Sequence, residues 1–479
     1  FSAFLSGFAV MAVEMSASRL LAPYFGNSLY VWTNVIGLVM ISLAIGYALG
    51  GRLADKNPNS RPYFFLILAT AFWILAIPFL SPILFQILSD VFSNLSALML
   101  LGSFIAVLLL LAVPMIFLGM IVPFTVKLVT GEMKHLGTES GKVSALSTGG
   151  SILGTFFPAF ILIPHLGTMA TFLLLALLLM ALAACGLRNP ILGILSLLGI
   201  GLFWVVPPVY ATEGMTFYDE SPYQFIFVKE AEEERKELYI DNTFGMQSVY
   251  DPNKVLGDEY YSFFGLLPAL VEQPKKALIL GHAGGSISRI LNEYYPDLEI
   301  TGVELDPRVT DAAVAEMGLD LDDVKIVHGD ARVFLQSTEE EYDLIFLDAY
   351  HLLSIPSHLA TREFFALVNE HLSEKGVVGV NALSHESSFL EILRNSLALS
   401  VGPVLQVPMP TSQNSLLIAN RSGDFEFTEL PSDFAVYLDH VEETSTVHDY
   451  EPGEVVFTDD KSAWVELQNE AMVLDLFSF

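Results

Sequence analysis

The chain has 479 residues, of which 53% are hydrophobic and only 16% charged, and its mean hydropathy is +0.53. That length allows two to four domains at about 100–200 residues each, and a charged fraction below the ~25% usual in soluble proteins argues against disorder and against a plain soluble enzyme. The one cysteine, Cys185, excludes an intrachain disulfide, a thiolate zinc cluster and an iron–sulfur site.

Residues 1–212 hold eight basic and five acidic side chains, whereas the rest of the chain holds 15 basic and 49 acidic, a balance of −34. The first part reads as helices in a bilayer, because crossing roughly 30 Å of hydrocarbon takes about 20 apolar residues. The apolar runs lie at 3–22, 31–50, 63–88, 97–121, 143–163, 169–187 and 191–210, which predicts about seven spans in a plasma-membrane protein. Pro78, Pro82, Pro114 and Pro123 interrupt or bound these runs, which membrane helices tolerate. Small residues at Ala145 and Gly149, and at Gly150 and Gly154, suit close helix packing. No cleavable signal is read at the N-terminus.

Lys and Arg in short loops set orientation. Arg52, Lys56 and Arg61, then Lys127, Lys134 and Lys142, then Arg188, place alternate loops inside, and the intervening loops carry none. Seven full spans would put the acidic part outside, whereas the supply of nucleotide ligands favours the cytoplasm; the sequence leaves both open. Glu14 and Arg19 are ionisable groups in or at the end of the first span. They read either as a polar pathway or as a buried structural pair, with Arg19 able to snorkel to the interface. The run Gly46–Lys56 resembles the loop after the second helix of major-facilitator transporters.

From Phe217 the pattern changes to short strands and helices. Tyr223–Lys229, Glu237–Asp241 and Met246–Tyr250 predict a small antiparallel group over 213–255. An α/β series over 256–479 follows, with strands at Lys276–Leu280, Ile300–Glu304, Val324–Val327, Tyr342–Leu347 and Gly376–Asn381. The alternation predicts a parallel sheet with ligands at the strands' carboxyl ends. The fold class is thus a multi-pass α-helical membrane domain followed by a Rossmann-like, methyltransferase-type α/β domain with a small N-terminal β subdomain.

Each strand end carries a residue suited to a nucleoside. Gly281-His-Ala-Gly-Gly-Ser286 opens a helix after the first strand, where backbone N–H groups can meet a ligand. Glu304 ends the next strand, where a carboxylate can accept both ribose hydroxyls. Asp330 follows the third strand, placed to accept from an exocyclic amine, and Asp348 ends the fourth, facing the reacting part of a ligand. Each acid alone could equally be a helix cap or turn residue; three acids and a Gly-rich turn at four successive strand ends point to a nucleoside site.

This constellation resembles the spermidine synthase family, aminopropyltransferases on a methyltransferase-like Rossmann fold. The resemblance spans about residues 217–395. It rests on Ser221-Pro-Tyr-Gln224, Tyr260, Leu267-Pro268, Gly281, Gly285, Glu304, Asp306, Gly329-Asp330 with the following Ala331, and Tyr342-Asp343 leading to Asp348. Leu5-Ser-Gly-Phe8, the Gly-Gly-Arg-Leu-Ala-Asp run and Thr458-Asp459-Asp460 resemble bacterial proteins in which membrane helices precede such a domain. The resemblance implies that Gln224, Glu304 and Asp330 contact the nucleoside and that Asp348 helps deprotonate an attacking amine. Tyr223, His282, Asp306, Tyr350 and His351 are accessory candidates. The implied ligands are S-adenosylmethionine, its decarboxylated form or methylthioadenosine, with a polyamine as the other substrate and no metal.

The departures are equally informative. Soluble members have Gly-Asp where this chain has Ala283-Gly284, His-Glu where it has Tyr261-Ser262, a His at Leu266 and an Asp at His351. Losing acids that hold ammonium groups argues against putrescine as acceptor. Gly284 is expected to leave room for a ligand carboxylate and to remove a like-charge repulsion worth on the order of 4 kcal/mol at 4 Å. His282, His351 and His358 read as a base or anion contact, or as solvated loop residues. The −34 balance excludes nucleic acid as partner. A homo-oligomer is compatible with the sequence. The overall expectation is a membrane-bound transferase with an altered acceptor pocket, able in principle to cleave S-adenosylmethionine; the alternative is a nucleoside-sensing or transport protein.

Overall fold

The computed structural model describes residues 1–461 apart from 27–28, 93–95, 131–135, 232–233, 244, 351–354 and 385. The described residues form two compact units: residues 1–212 with 219–225, and residues 213–218 with 226–461.

The first unit is helical: α1 (Ser2–Phe25), α2 (Leu29–Lys56), α3 (Ser60–Phe92), α4 (Ser96–Val129), α5 (Leu136–Phe157), α6 (Thr168–Leu187) and α7 (Pro190–Leu198). A π-helical turn at Pro158–Leu162 extends α5. Among the described residues six helices are long and apolar enough to cross a membrane, and the expected seventh run forms only the shorter apolar helix Pro190–Trp204. Local chemistry accounts for the difference. Asn189 caps α7 by accepting from Ile191 N at 3.0 Å, and the chain then tightens into a 3-10 helix over Gly199–Trp204. Pro207 and Pro208 follow and cannot extend it.

Close backbone approach holds the helices together. A Cβ on Gly150 would lie 1.9 Å from Phe4 O, and one on Gly154 2.3 Å from Phe8 O, so only glycine fits between α1 and α5. The other small pair, Ala145 and Gly149, is exposed, and a Cβ on Gly149 would meet nothing within 4 Å. Arg19 donates to Tyr223 O rather than pairing with Glu14, which is buried.

The second unit carries two sheets. β1 (Met215–Glu220), β2 (Phe225–Glu230), β3 (Lys236–Ile240) and β4 (Met246–Tyr250) form a four-stranded sheet in chain order. β5 (Lys276–Leu280), β6 (Glu299–Glu304), β7 (Lys325–His328), β8 (Tyr342–Leu347), β9 (Leu372–Leu383), β10 (Val404–Pro408), β11 (Asn414–Asn420) and β12 (Thr446–His448) form an eight-stranded sheet, ordered β12-β10-β11-β9-β8-β5-β6-β7. Its five strands β5 to β9 are parallel, and their central members read as apolar runs because both faces are covered. The sheet is mixed rather than all-parallel. β10 and β11 form a hairpin, which needs no crossover helix, and lay antiparallel strands against β9.

Candidate functional site

The order β8-β5-β6-β7 brings four chemistry-bearing strand ends side by side. They carry Asp348, the Gly281–Gly285 turn, Glu304 and Asp330. Gly281 makes the crossing between β5 and β8: its φ is +90°, and a Cβ there would lie 2.4 Å from Asp348 O. No other residue type fits.

Asp348 is held by two side chains from separate elements, and a third stands behind one of them. Tyr260 Oη donates to Oδ2 at 2.9 Å, and Asn381 Nδ2 donates to Oδ1 at 2.8 Å. Asn414 Nδ2 in turn donates to Asn381 Oδ1 at 2.8 Å and fixes its amide. Burial pushes the Asp348 carboxyl up to about 6, against the pull of the Asn381 and Tyr260 donors, which favour its ionised form. Burial, followed by the Asp348 charge, raises the Tyr260 phenol well above its ordinary range, so it stays a donor. Tyr350 braces the same end by donating to Asn381 O at 3.0 Å and accepting from Leu383 N at 2.8 Å.

Glu304 is buried, with Oε2 accepting from Ala283 N at 2.9 Å and Oε1 from Asp306 N at 3.0 Å, and the Leu305 N–H also favours the carboxylate. A carboxylate offers about four acceptor positions, so these N–H groups leave room for a ligand hydroxyl. Burial outweighs those N–H groups and lifts the carboxyl to about 7. Asp306 is fully buried and caps the helix Pro307–Glu316 through Arg308 N, a structural role.

Asp330 caps the helix Ala331–Ser337, with Oδ1 accepting from Arg332 N and Val333 N at 2.9 and 3.0 Å, and Oδ2 lies 2.7 Å from His358 Nε2. Burial raises the Asp330 carboxyl, but Val333 N–H and His358 outweigh it, and it ends below its ordinary value. Ala331 opens that helix and is buried. His282 is buried with Nε2 on Ser288 Oγ at 2.8 Å, and burial lowers it to about 4; it is neutral at working pH. His351 lies outside the described residues.

Gly284 departs from expectation. It does not open space: a Cβ there would lie 2.6 Å from Ser248 Cβ, and its N–H donates to Ser248 Oγ at 2.8 Å. β4 fills the position where an acid side chain would start. Gly285, with φ +85°, turns the chain into the helix Ser286–Tyr294. Ser262 Oγ bonds both N and O of Gly257 at 2.9 Å, and Leu266 is fully buried. These two replacements for lost polar residues are therefore packing groups.

In the helical unit, Ser221 Oγ accepts from Tyr223 N and Gln224 N at 3.0 Å, a tight turn that leaves Gln224 buried and Tyr223 exposed. Sequence reasoning missed Asn381 and Asn414. Asn381 closes a predicted buried strand, where a polar residue signals a strand-end role; Asn414 begins a strand not anticipated. Among the described residues no group of His, Cys, Asp and Glu could hold a metal ion.

The parallel strand order and the helices between the strands define a Rossmann-type domain with acidic residues at its strand ends. Residues 260–420 match the spermine/spermidine synthase domain, and the C-terminal region is a domain of that family, preceded by six long apolar helices. A probable polyamine aminopropyl transferase of Bifidobacterium longum is 35% identical over 214 residues, which are 44% of this chain and 48% of that protein. Polyamine aminopropyltransferase 2 of Aquifex aeolicus is 24% identical over 401 residues, 78% of this chain and 76% of that protein. Residues 213–479 are little more than half of the chain, so this second match reaches into the helices. The chain spans about half the length of most of the curated relatives it matches. Among solved structures, a probable spermidine synthase from Corynebacterium glutamicum superposes with TM-score 0.40 and 17% identity over 55% of this chain and 95% of that one.

Proposed function

We propose that the α/β unit is a transferase acting on an adenosyl sulfonium, with Glu304 on the ribose, Asp330 toward the base and Asp348 as proton acceptor. The observation that carries this reading is the row of adjacent strand ends bearing Asp348, Gly281–Gly285, Glu304 and Asp330. In this reaction an amine lone pair attacks a carbon bonded to the sulfonium, and the C–S bond breaks with its electrons going to sulfur. Methylthioadenosine leaves, and the amine proton passes to Asp348. Sulfonium is a good leaving group, so positioning supplies much of the rate.

The acceptor differs from a simple di- or tricationic amine, because Ser262 and Leu266 are committed to packing and offer no charge to an ammonium. With intact S-adenosylmethionine the ligand's own carboxylate is an alternative nucleophile. Its attack would give methylthioadenosine and a lactone with no proton to remove. The lipid bilayer is a further partner of this reading, and a polyamine is the acceptor against which the altered pocket is to be tried.

The test is incubation of the detergent-solubilised protein with S-adenosylmethionine, and separately with its decarboxylated form plus putrescine, followed by mass spectrometry. Methylthioadenosine from either incubation supports a transferase or lyase. Spermidine in the second would show that putrescine is accepted after all. Binding without product from either would leave a nucleoside sensor or transport role for the chain.

A further inference from the structure

The helical unit has two distinguishable faces. At one, Tyr63 Oη lies 2.6 Å from Ser2 Oγ and 2.7 Å from Thr125 Oγ1, and Lys127 Nζ lies 2.7 Å from Asp55 Oδ1. The start of α1, the end of α2, the start of α3 and the end of α4 therefore meet there. The end of α6 joins them, since Gly186 packs on the Phe64 ring. Arg52, Lys56, Arg61, Lys127, Lys142 and Arg188 all belong to this face. At the other, Tyr24 and Phe25 pack on Phe85 with ring centroids 5.3 and 5.6 Å apart. Its connections, 26–28, 93–95 and Gly167, contain no Lys or Arg. The first face is cytoplasmic by the positive-inside rule.

After α6 the chain turns at Arg188, which takes a left-handed φ of 53°, and runs back along the helix it has just left. Gly199 lies against Leu177, each eleven residues from that turn. Tyr24 Oη then donates to Val209 O at 3.3 Å, and the Tyr24 and Tyr210 rings lie 5.5 Å apart, at the second face. Farther on, Glu220 accepts from Thr168 N at 3.0 Å and from Thr168 Oγ1 at 2.5 Å, again at the second face, where α6 begins. Arg19, near the end of α1, donates to Tyr223 O.

The reach suffices although the helix is short. Nine α-helical residues rise about 13 Å and six 3-10 residues about 12 Å, and a few extended residues beyond Trp204 complete the roughly 30 Å of hydrocarbon. Trp204 is 91% exposed, as suits a side chain turned to lipid.

We infer that Pro190–Val209 is a seventh crossing, so that the chain enters the α/β unit from the Lys- and Arg-poor face and that unit lies outside the cytoplasm. An adenosyl ligand would then be met in the outer compartment. The inference needs no catalytic activity, so its failure is distinct from that of the proposed reaction.

The test uses the full chain with Cys185→Ser as background and one new cysteine at a time. Lys375→Cys reports the α/β unit, its native side chain being 76% exposed, and Asn59→Cys reports the α2–α3 connection. A membrane-impermeant maleimide on intact cells should label Lys375→Cys as fully as after permeabilisation, and Asn59→Cys only after permeabilisation. Equal labelling of both before permeabilisation, protection of both, or the reverse pattern overturns the inference. Trypsin added to intact cells reads the native chain: digestion of the acidic unit is expected, and its full protection again overturns the inference.

Discussion

The two units bury polar groups in opposite ways. In the helical unit hydroxyls turn back on their own helix: Thr70 bonds Leu66 O, Thr125 bonds Ile121 O and Thr171 bonds Gly167 O. There glycine supplies close contact between helices, and these hydroxyls are satisfied by the preceding turn of their own helix. In the α/β unit carboxylates stand at junctions and accept from backbone N–H groups of the next element, as Glu304, Asp306 and Asp330 do. Asp348 differs from these three: apart from its chain position, side chains alone hold it. The contrast separates acids tied to backbone N–H groups from Asp348, which the proposed reaction uses as proton acceptor.

That separation breaks most visibly at Asp348. Asp348→Asn keeps the shape and the Tyr260 contact but removes the base, so turnover should fall by about 10²–10⁴-fold while ligand affinity stays within a few-fold. Methylthioadenosine release and ligand titration check the two halves; undiminished turnover would assign the unit to sensing. The pH dependence follows the same group. A base must be ionised, and burial places this carboxyl at about 6. The rate should therefore be flat above that pH and fall as pH drops through it.

The helical unit offers a comparison within three turns of one helix. Gly150 meets Phe4 O, whereas Gly149 beside it meets nothing within 4 Å. Gly150→Leu should force α1 and α5 apart and cost at least the ~1–3 kcal/mol typical of overpacking, whereas Gly149→Leu should cost almost nothing. Thermal unfolding in detergent, followed by size-exclusion behaviour, reads the difference. Equal destabilisation would mean that α1 and α5 are not held by this contact.

Much of this was legible in the sequence, for physical reasons. Long apolar runs announce membrane helices because nothing else buries them. A strand ending in an acid is visible because β5, β6 and β8 are buried on both faces and so stand out from their polar ends. The missed features depend on three-dimensional neighbours. Gly284 reads as empty space until β4 is seen beside it. β10 and β11 carry no helix between them and so escape a pattern built on alternation. The apolar run at 191–210 is visible in the sequence, but its α-helix ends at Leu198, and its course to the second face shows itself through Tyr24 and Thr168.

Asn381 sharpens the distinction among acids. Its amide favours the ionised form of Asp348, so Asn381→Leu should raise the carboxyl further and move the acid limb of the rate to higher pH by about one unit. The rate at neutral pH should fall while the rate at alkaline pH changes little. Loss at every pH alike would make Asn381 a packing residue instead.

The smallest effect is expected at the C-terminal segment. Arg332 Nη1 and Nη2 grip Asp459 at 2.8 and 2.5 Å, and Arg332 Nη1 also donates to His358 O at 3.0 Å. His358 Nε2 in turn meets Asp330. Asp459 therefore reaches Asp330 through Arg332, whose backbone N–H bonds Asp330 and whose guanidinium also holds His358 O. Its side chain is 42% exposed, so solvent weakens the pair, and pairs of this kind contribute about 1 kcal/mol or less. Arg332 keeps its bond to His358 O when Asp459 is replaced, and Asp330 keeps both helix-capping bonds. Asp459→Asn should consequently raise the KM for the adenosyl ligand a few-fold and leave kcat unchanged. A fall in kcat instead would place this segment in the reacting region and dissolve the boundary between structural and chemical acids drawn at Asp348.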